Sequence, residues 1–208
     1  MIEFKNVYIK YIPAFYSLYN FNNCFNSNTL IIGDAVNGSK AIFRILAKID
    51  KFYSGGVFVD NLNLREIKDS DLNIAYLPEK FELFKLKSVE KNLIYPLKIR
   101  KINKKIAKIH VFNLLKQYNL EKFTKIKAFK LNQSEQKIVC LLRAITRKPK
   151  VILIENFFKN LDEKYHDLAY KIISDSTKFC TIIACEEDDK NLACYKNFTR
   201  LKLEKSDD

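Results

Sequence analysis

A chain of 208 residues with 48% hydrophobic and 13% aromatic side chains is long enough to bury a core and too apolar to stay disordered. Its net charge of +13 could serve nucleic acid or an anionic membrane surface, but 37 Lys and Arg are interleaved with 24 Asp and Glu along the chain, as on a solvated surface. No apolar run nears the roughly 20 residues that span a bilayer, the opening MIEFKNVYIKY lacks a signal-peptide shape, and the five cysteines form no C-x-x-C pair of the kind structural zinc uses, so a cytosolic chain without a metal is expected.

Residues 2–11 and 16–22 alternate apolar and polar side chains and predict two early strands. NTLIIG (28–33) predicts a short buried strand that ends in glycine, and KAIFRILAKI (40–49) a helix, with Ile42, Ile45, Leu46 and Ile49 on one face. Strand, glycine loop and helix form the setting of the phosphate-binding pattern G-x-x-x-x-G-K-[ST]. Here the two glycines, Gly33 and Gly38, have the right spacing, but Ser39, Lys40 and Ala41 follow. A turn and strand come next in YSGGVFVDNLNL, then a strand broken at Pro78. Residues 88–130 alternate helical stretches with basic loops, and KIRKINKKIAK (98–108) reads as a solvated helix face. SEQKIVCLLRAITRKP (134–149) predicts a capped helix stopped by proline, and KVILIE (150–155) a strand buried on both faces. A helix near 163–175, a strand over 179–186, a short helix and a last strand complete a parallel α/β pattern.

The order of these segments resembles the nucleotide-binding domain of ABC transporters. PKVILIENFFKNLDE (149–163) is similar to the family's Walker B and D-loop, LNQSEQKIVCLLRAI (131–145) to its signature and following helix, and LNIAYLPEKFELFKLKSVEKNL (72–93) to its Q-loop region. TIIACEED (181–188) stands where the switch-histidine loop belongs, and Tyr11 where an aromatic stacks on adenine. The resemblance implies a P-loop NTPase-like fold with a mixed-sheet core, an antiparallel β edge and a helical subdomain. Within one domain, 1–208, it implies a core over 1–80 and 145–208 and a helical subdomain over about 81–144.

Against the family pattern many functional letters differ. The lysine that reaches the β- and γ-phosphates is Ser39 and the magnesium-binding hydroxyl is Lys40, which on a helix points about 100° from the earlier position. The Walker B aspartate is Glu155 and the water-polarising glutamate beside it is Asn156, an amide that cannot act as a base. The Q-loop glutamine is Glu79 and the switch histidine Glu187. Asn132, Gln133, Ser134 and Glu135 occupy the signature, placing side chains where the family backbone approaches a γ-phosphate. Backbone N–H groups of Val36, Asn37, Gly38, Ser39, Lys40 and Ala41 could still cradle phosphate as a nest.

The reading that follows is a degenerate ATP-binding subunit of an ABC-type transporter with little or no hydrolysis. Any ATP would be held weakly, by Tyr11, Gly33, the nest and Glu155, and Mg2+ binding is in doubt. Expected partners are an integral membrane permease-like subunit, docked by Phe81, Leu83, Phe84 and Leu86, and a second ABC subunit in a homodimer or heterodimer at the inner face of the membrane. Alternatives are an active ATPase with atypical motifs, and a soluble ABC-type protein acting on nucleic acid, which the sparse aromatic–basic clusters do not favour. Two arrangements are open for Lys40: its ammonium replaces the lost cation within about 4 Å of Glu155 or Glu79, or it points to solvent.

Overall fold

The computed structural model describes residues 1–11, 16–32, 38–187 and 194–203, the side chains of Tyr11 and Tyr16 excepted. The chain divides into two compact units: residues 1–76, 150–156 and 181–208 form one, and 77–149 with 157–180 the other. The helical unit therefore takes in residues 157–180 as well as the expected middle of the chain.

In the first unit, β1 (Ile2–Tyr11) pairs antiparallel with β2 (Tyr16–Phe25) and with β4 (Ser54–Val59), and β5 (Leu62–Asn63) adds an edge strand to β4. Burial along β1 changes parity, from Ile2 and Phe4 to Val7 and Ile9. The reason is a register shift between Phe4 and Val7, where Asn6 takes a φ of 48°, because one extra residue sends every later side chain to the other face. Gly55 lies opposite this bulge with a φ of 78°, and a Cβ there would come within 2.2 Å of the Asn6 carbonyl oxygen.

The second sheet runs in the order β6-β7-β8-β3-β9, from β3 (Thr29–Ile32), β6 (Ile74–Leu77), β7 (Val151–Glu155), β8 (Thr181–Glu186) and β9 (Thr199–Lys202). β7 and β3 flank β8 in parallel, and β3 pairs parallel with β9. Leu30, Ile31, Ile152, Leu153, Ile154, Ile182, Ile183 and Ala184 are all buried, which explains their unbroken apolar runs: a parallel sheet covered on both faces has no polar side. α1 (Ser39–Leu46) buries Ala41, Ile42, Phe43, Ile45 and Leu46 in the same core.

The second unit is helical: α2 (Val89–Ile99), α3 (Lys104–Gln117), α4 (Gln133–Ile145) and α5 (His166–Ser176). Each of the first three begins at a side-chain cap, Ser88, Asn103 and Asn132 respectively, which satisfies an otherwise orphaned backbone N–H. α2 packs on α3 and α4, and α4 on α5. Among the described residues no helix is long and apolar enough to cross a membrane.

Candidate functional site

The glycine loop enters α1 at Gly38, whose φ of 89° is left-handed and whose missing Cβ would lie 2.4 Å from the Ser17 carbonyl oxygen and 2.4 Å from Leu18. Only glycine fits there. Gly33, Val36 and Asn37 lie outside the described residues, as does the side chain of Tyr11.

Ser39, at the position of the family's phosphate lysine, is turned inward and only 3% exposed. Its hydroxyl hydrogen-bonds the sulfur of Cys185 on β8, a thiol that burial pushes up to about 12. A side chain aimed into the sheet cannot reach toward a phosphate. Lys40 is half-buried at the first turn of α1, and among the described residues it enters no ion pair. The idea that its ammonium replaces a cation is thus corrected: Glu155 accepts a 2.6 Å hydrogen bond from the Tyr76 hydroxyl instead. Burial, and next the negative charge of Glu155, drive the Tyr76 pKa far above the ordinary phenol range. A protonated phenol therefore holds the Walker B carboxylate, a donor that neutral pH cannot remove.

The next residue closes on a different partner. Asn156 ends β7 in a left-handed turn, with a φ of 46°, and is 3% exposed. Its backbone N–H donates to the Cys185 carbonyl at 2.8 Å. Its side-chain amide donates to Glu187 Oε1 at 3.0 Å, while its side-chain oxygen accepts from the Glu187 backbone N–H, also at 3.0 Å. The two positions expected from sequence to match the catalytic glutamate and the switch histidine are thus bound to one another. This exchange needs an amide, which both donates and accepts; two carboxylates there could only repel.

In the helical unit the signature residues cap a helix. Asn132 accepts from the Glu135 backbone N–H at 2.8 Å while Glu135 accepts from the Asn132 N–H at 2.9 Å, and the Tyr165 hydroxyl donates to the other Glu135 oxygen at 3.1 Å. Ser134, 2% exposed, accepts from the Asp162 N–H at 2.9 Å and so ties α4 to the D-loop segment. Lys137, also buried, donates to the carbonyls of Phe157 (2.8 Å) and Lys159. Gln133 is exposed. Glu79 pairs with Lys159 at 3.0 Å, both partly exposed, so the pair is screened and weak.

The candidate docking loop divides by burial. Leu83 is buried, Phe81 is half-buried, and Phe84 and Leu86 stay exposed. The loop is fixed by Asn92 of α2, which is fully buried, accepts from the Phe84 N–H at 2.8 Å and donates to the carbonyls of Phe84, Lys87 and Ser88. Phe84 rests edge-on against Tyr95, ring centroids 4.7 Å apart.

Tyr76, Cys185, Asn92 and Lys137 were missed from sequence. A polar residue within the apolar face Val89–Leu93–Leu97 was a usable signal for Asn92; the others give no local signal, since their partners are distant in the chain. With a buried serine for the lysine, a lysine for the hydroxyl and a carboxylate held by a phenol, the described side chains do not fit the usual magnesium–nucleotide donor set.

The chain's similarities agree with the fold. The family model for ABC transporters matches residues 20–158. The chain is 34% identical, over 65% of its own length, to the sn-glycerol-3-phosphate import ATP-binding protein UgpC of Bartonella bacilliformis. It is 24% identical, over 70%, to the spermidine/putrescine import ATP-binding protein PotA of Pasteurella multocida. It spans only 39% and 40% of the lengths of those relatives. Among solved structures, the dimeric post-hydrolysis state of the ATP-binding cassette MJ0796, bound to ADP and Pi, superposes with a TM-score of 0.82 at 22% identity, covering 99% of this chain and 95% of that one.

Proposed function

This chain belongs to the ABC transporter family, and from that premise we propose that it is a degenerate nucleotide-binding subunit: one that keeps the cassette as a docking and pairing module and has given up ATP hydrolysis. The observation that carries this is the reciprocal hydrogen bonding of Asn156 and Glu187. It puts an amide in place of the glutamate that would polarise the attacking water, and it engages that amide with Glu187. Phosphoryl transfer depends on positioning and charge stabilisation, so losing the base, the phosphate lysine and the metal ligand together leaves little to lower the barrier.

In this reading the subunit sits on a permease-like membrane protein, with Phe84 and Leu86 among the contacts, and pairs with a second ABC subunit at the inner face of the membrane. The names of UgpC and PotA suggest import as the process served. Residual nucleotide binding would be weak and indifferent to magnesium. The test is to purify the chain alone and with its membrane partner and to measure phosphate release. No release from the chain alone, with stable co-purification of the partner, is expected; turnover of roughly 0.1 per second or more that disappears in Lys40→Ala would establish an active ATPase with atypical motifs instead.

A further inference from the structure

α3 is apolar on two opposite sides. Ala107, Val111 and Leu115 are buried and fix the helix flat against its own unit. On the outer side Ile106, Ile109 and Phe112 follow one another at i, i+3 spacing and are 61%, 57% and 49% exposed. Ile99 and Ile102, just before the helix, are exposed too. The expected solvated face over 98–108 is therefore basic, but its isoleucines are on the outside rather than in the core.

Charge along this stretch is one-sided. From Lys91 to Leu120 the sequence holds eight Lys and Arg and no Asp or Glu, in a chain whose charges are elsewhere mixed. Lys105, Lys108 and Lys116 are exposed on α3 beside the isoleucines. Residues three and four apart on a helix are neighbours, so the cations flank the apolar row. A second copy of the chain is a poor occupant, because it would bring two cationic faces together. Nucleic acid is a poor one as well: branched aliphatic side chains offer no stacking surface for bases. Apolar side chains bordered by lysines, in a stretch of sequence without Asp or Glu, match an interface of acyl chains beneath anionic headgroups.

The geometry points to the outer face of α3 as a lipid contact: Ile106, Ile109 and Phe112 enter the headgroup boundary of an anionic bilayer while Lys105, Lys108 and Lys116 hold its phosphates. Membrane association of this kind goes beyond the reading above, since it requires neither a permease nor nucleotide. The lysine stems are long enough to keep the ammonium groups at headgroup level as the shorter side chains go deeper.

Sedimentation of the purified full chain with protein-free vesicles tests the proposal and leaves permease docking untouched. The comparison is between pure phosphatidylcholine and phosphatidylcholine with about 30 mol% phosphatidylglycerol, each at low and at physiological salt. At least tenfold preference for the anionic vesicles is expected, weakening as salt shortens the Debye length. Lys105→Gln/Lys108→Gln/Lys116→Gln should reduce partition about a hundredfold, each lysine counting for roughly fivefold. Ile106→Asn/Ile109→Asn/Phe112→Asn should reduce it at least tenfold, with circular dichroism and melting temperature near those of the parent because all three positions are exposed. Equal partition to neutral and anionic vesicles, or none to either, overturns the proposal. So does loss in the lysine variant alone, which would mean adsorption by charge without insertion.

Discussion

Asn156 and Glu187, 31 residues apart in sequence, exchange two hydrogen bonds of 3.0 Å: amide to carboxylate one way, backbone N–H to amide oxygen the other. β7 and β8 lie in parallel register with Glu155 opposite Cys185, which brings the two strand ends level. A pair satisfied in both directions is a structural element in its own right, and it makes the proposed loss of ATP hydrolysis testable as stability as well as activity.

Restoring the family's glutamate should therefore harm the protein. Asn156→Glu faces the Glu187 carboxylate with another and removes the donor of the amide-to-carboxylate bond. We expect a loss of about 1–3 kcal/mol at neutral pH, recovered in part as pH falls through the carboxylate range and one group takes a proton. Urea denaturation between pH 4 and 8 measures it. Phosphate release should remain below about 0.1 per second, because the lysine and hydroxyl positions are still altered.

Tyr76 should titrate late. Its folded pKa is raised by burial and by Glu155, so its contribution to stability is complete below the ordinary phenol pKa of about 10 and declines as pH rises above it. Ultraviolet titration should show one slow phenol missing from the spectrum in Tyr76→Phe. That variant leaves the mostly buried Glu155 without its phenol donor and should cost about 1–3 kcal/mol. An unchanged midpoint in urea would refute the role given to this bond.

Reordering the glycine-loop residues should not revive the site. Ser39 is buried against Cys185, so Ser39→Lys combined with Lys40→Ser must force a long cation into packed space. Overpacking costs about 1–3 kcal/mol, and burial of the charge adds to it. The double variant should melt lower than the parent and still release no phosphate. Titration calorimetry with ATP should give the same weak heat with magnesium as with EDTA, in parent and variant alike.

The proposed docking loop separates stability from recognition. Asn92→Ala strands the Phe84 N–H and the carbonyls that the amide serves, and a loss of about 2 kcal/mol or more is expected. Phe84→Asp changes a side chain that is 43% exposed and should keep stability within about 1 kcal/mol. It should nevertheless abolish co-purification with the proposed membrane partner, since a carboxylate there would be buried without a counter-charge. Co-purification at the parent's level would remove this loop from the interface.

Much of the fold was legible because it rests on local pattern. Alternation marked β1 and β2, unbroken apolar runs marked β3, β7 and β8 as interior parallel strands, and 3.6-residue spacing with Asn132 ahead of it marked α4. The parity change at Asn6 was not legible, because a bulge appears only when the partner strand supplies a register. Nor was the apolar outer row of α3, since isoleucine at helical spacing does not say which of two faces the neighbours will cover.

The sequence by itself determined which functional letters are absent: no lysine after Gly38, no glutamate after Glu155, no histidine at 187. What stands in their place was decided by the tertiary structure. Lys40 and Glu155 looked complementary in sequence, yet Glu155 is held by Tyr76 and Ser39 turns to Cys185, while Asn156 closes on Glu187. Each of these partners comes from another strand or helix, brought near by parallel pairing and by packing of α1 on the sheet. Hydrogen bonds act over about 3 Å, so a distance of tens of residues along the chain says nothing about them until the strands are in register.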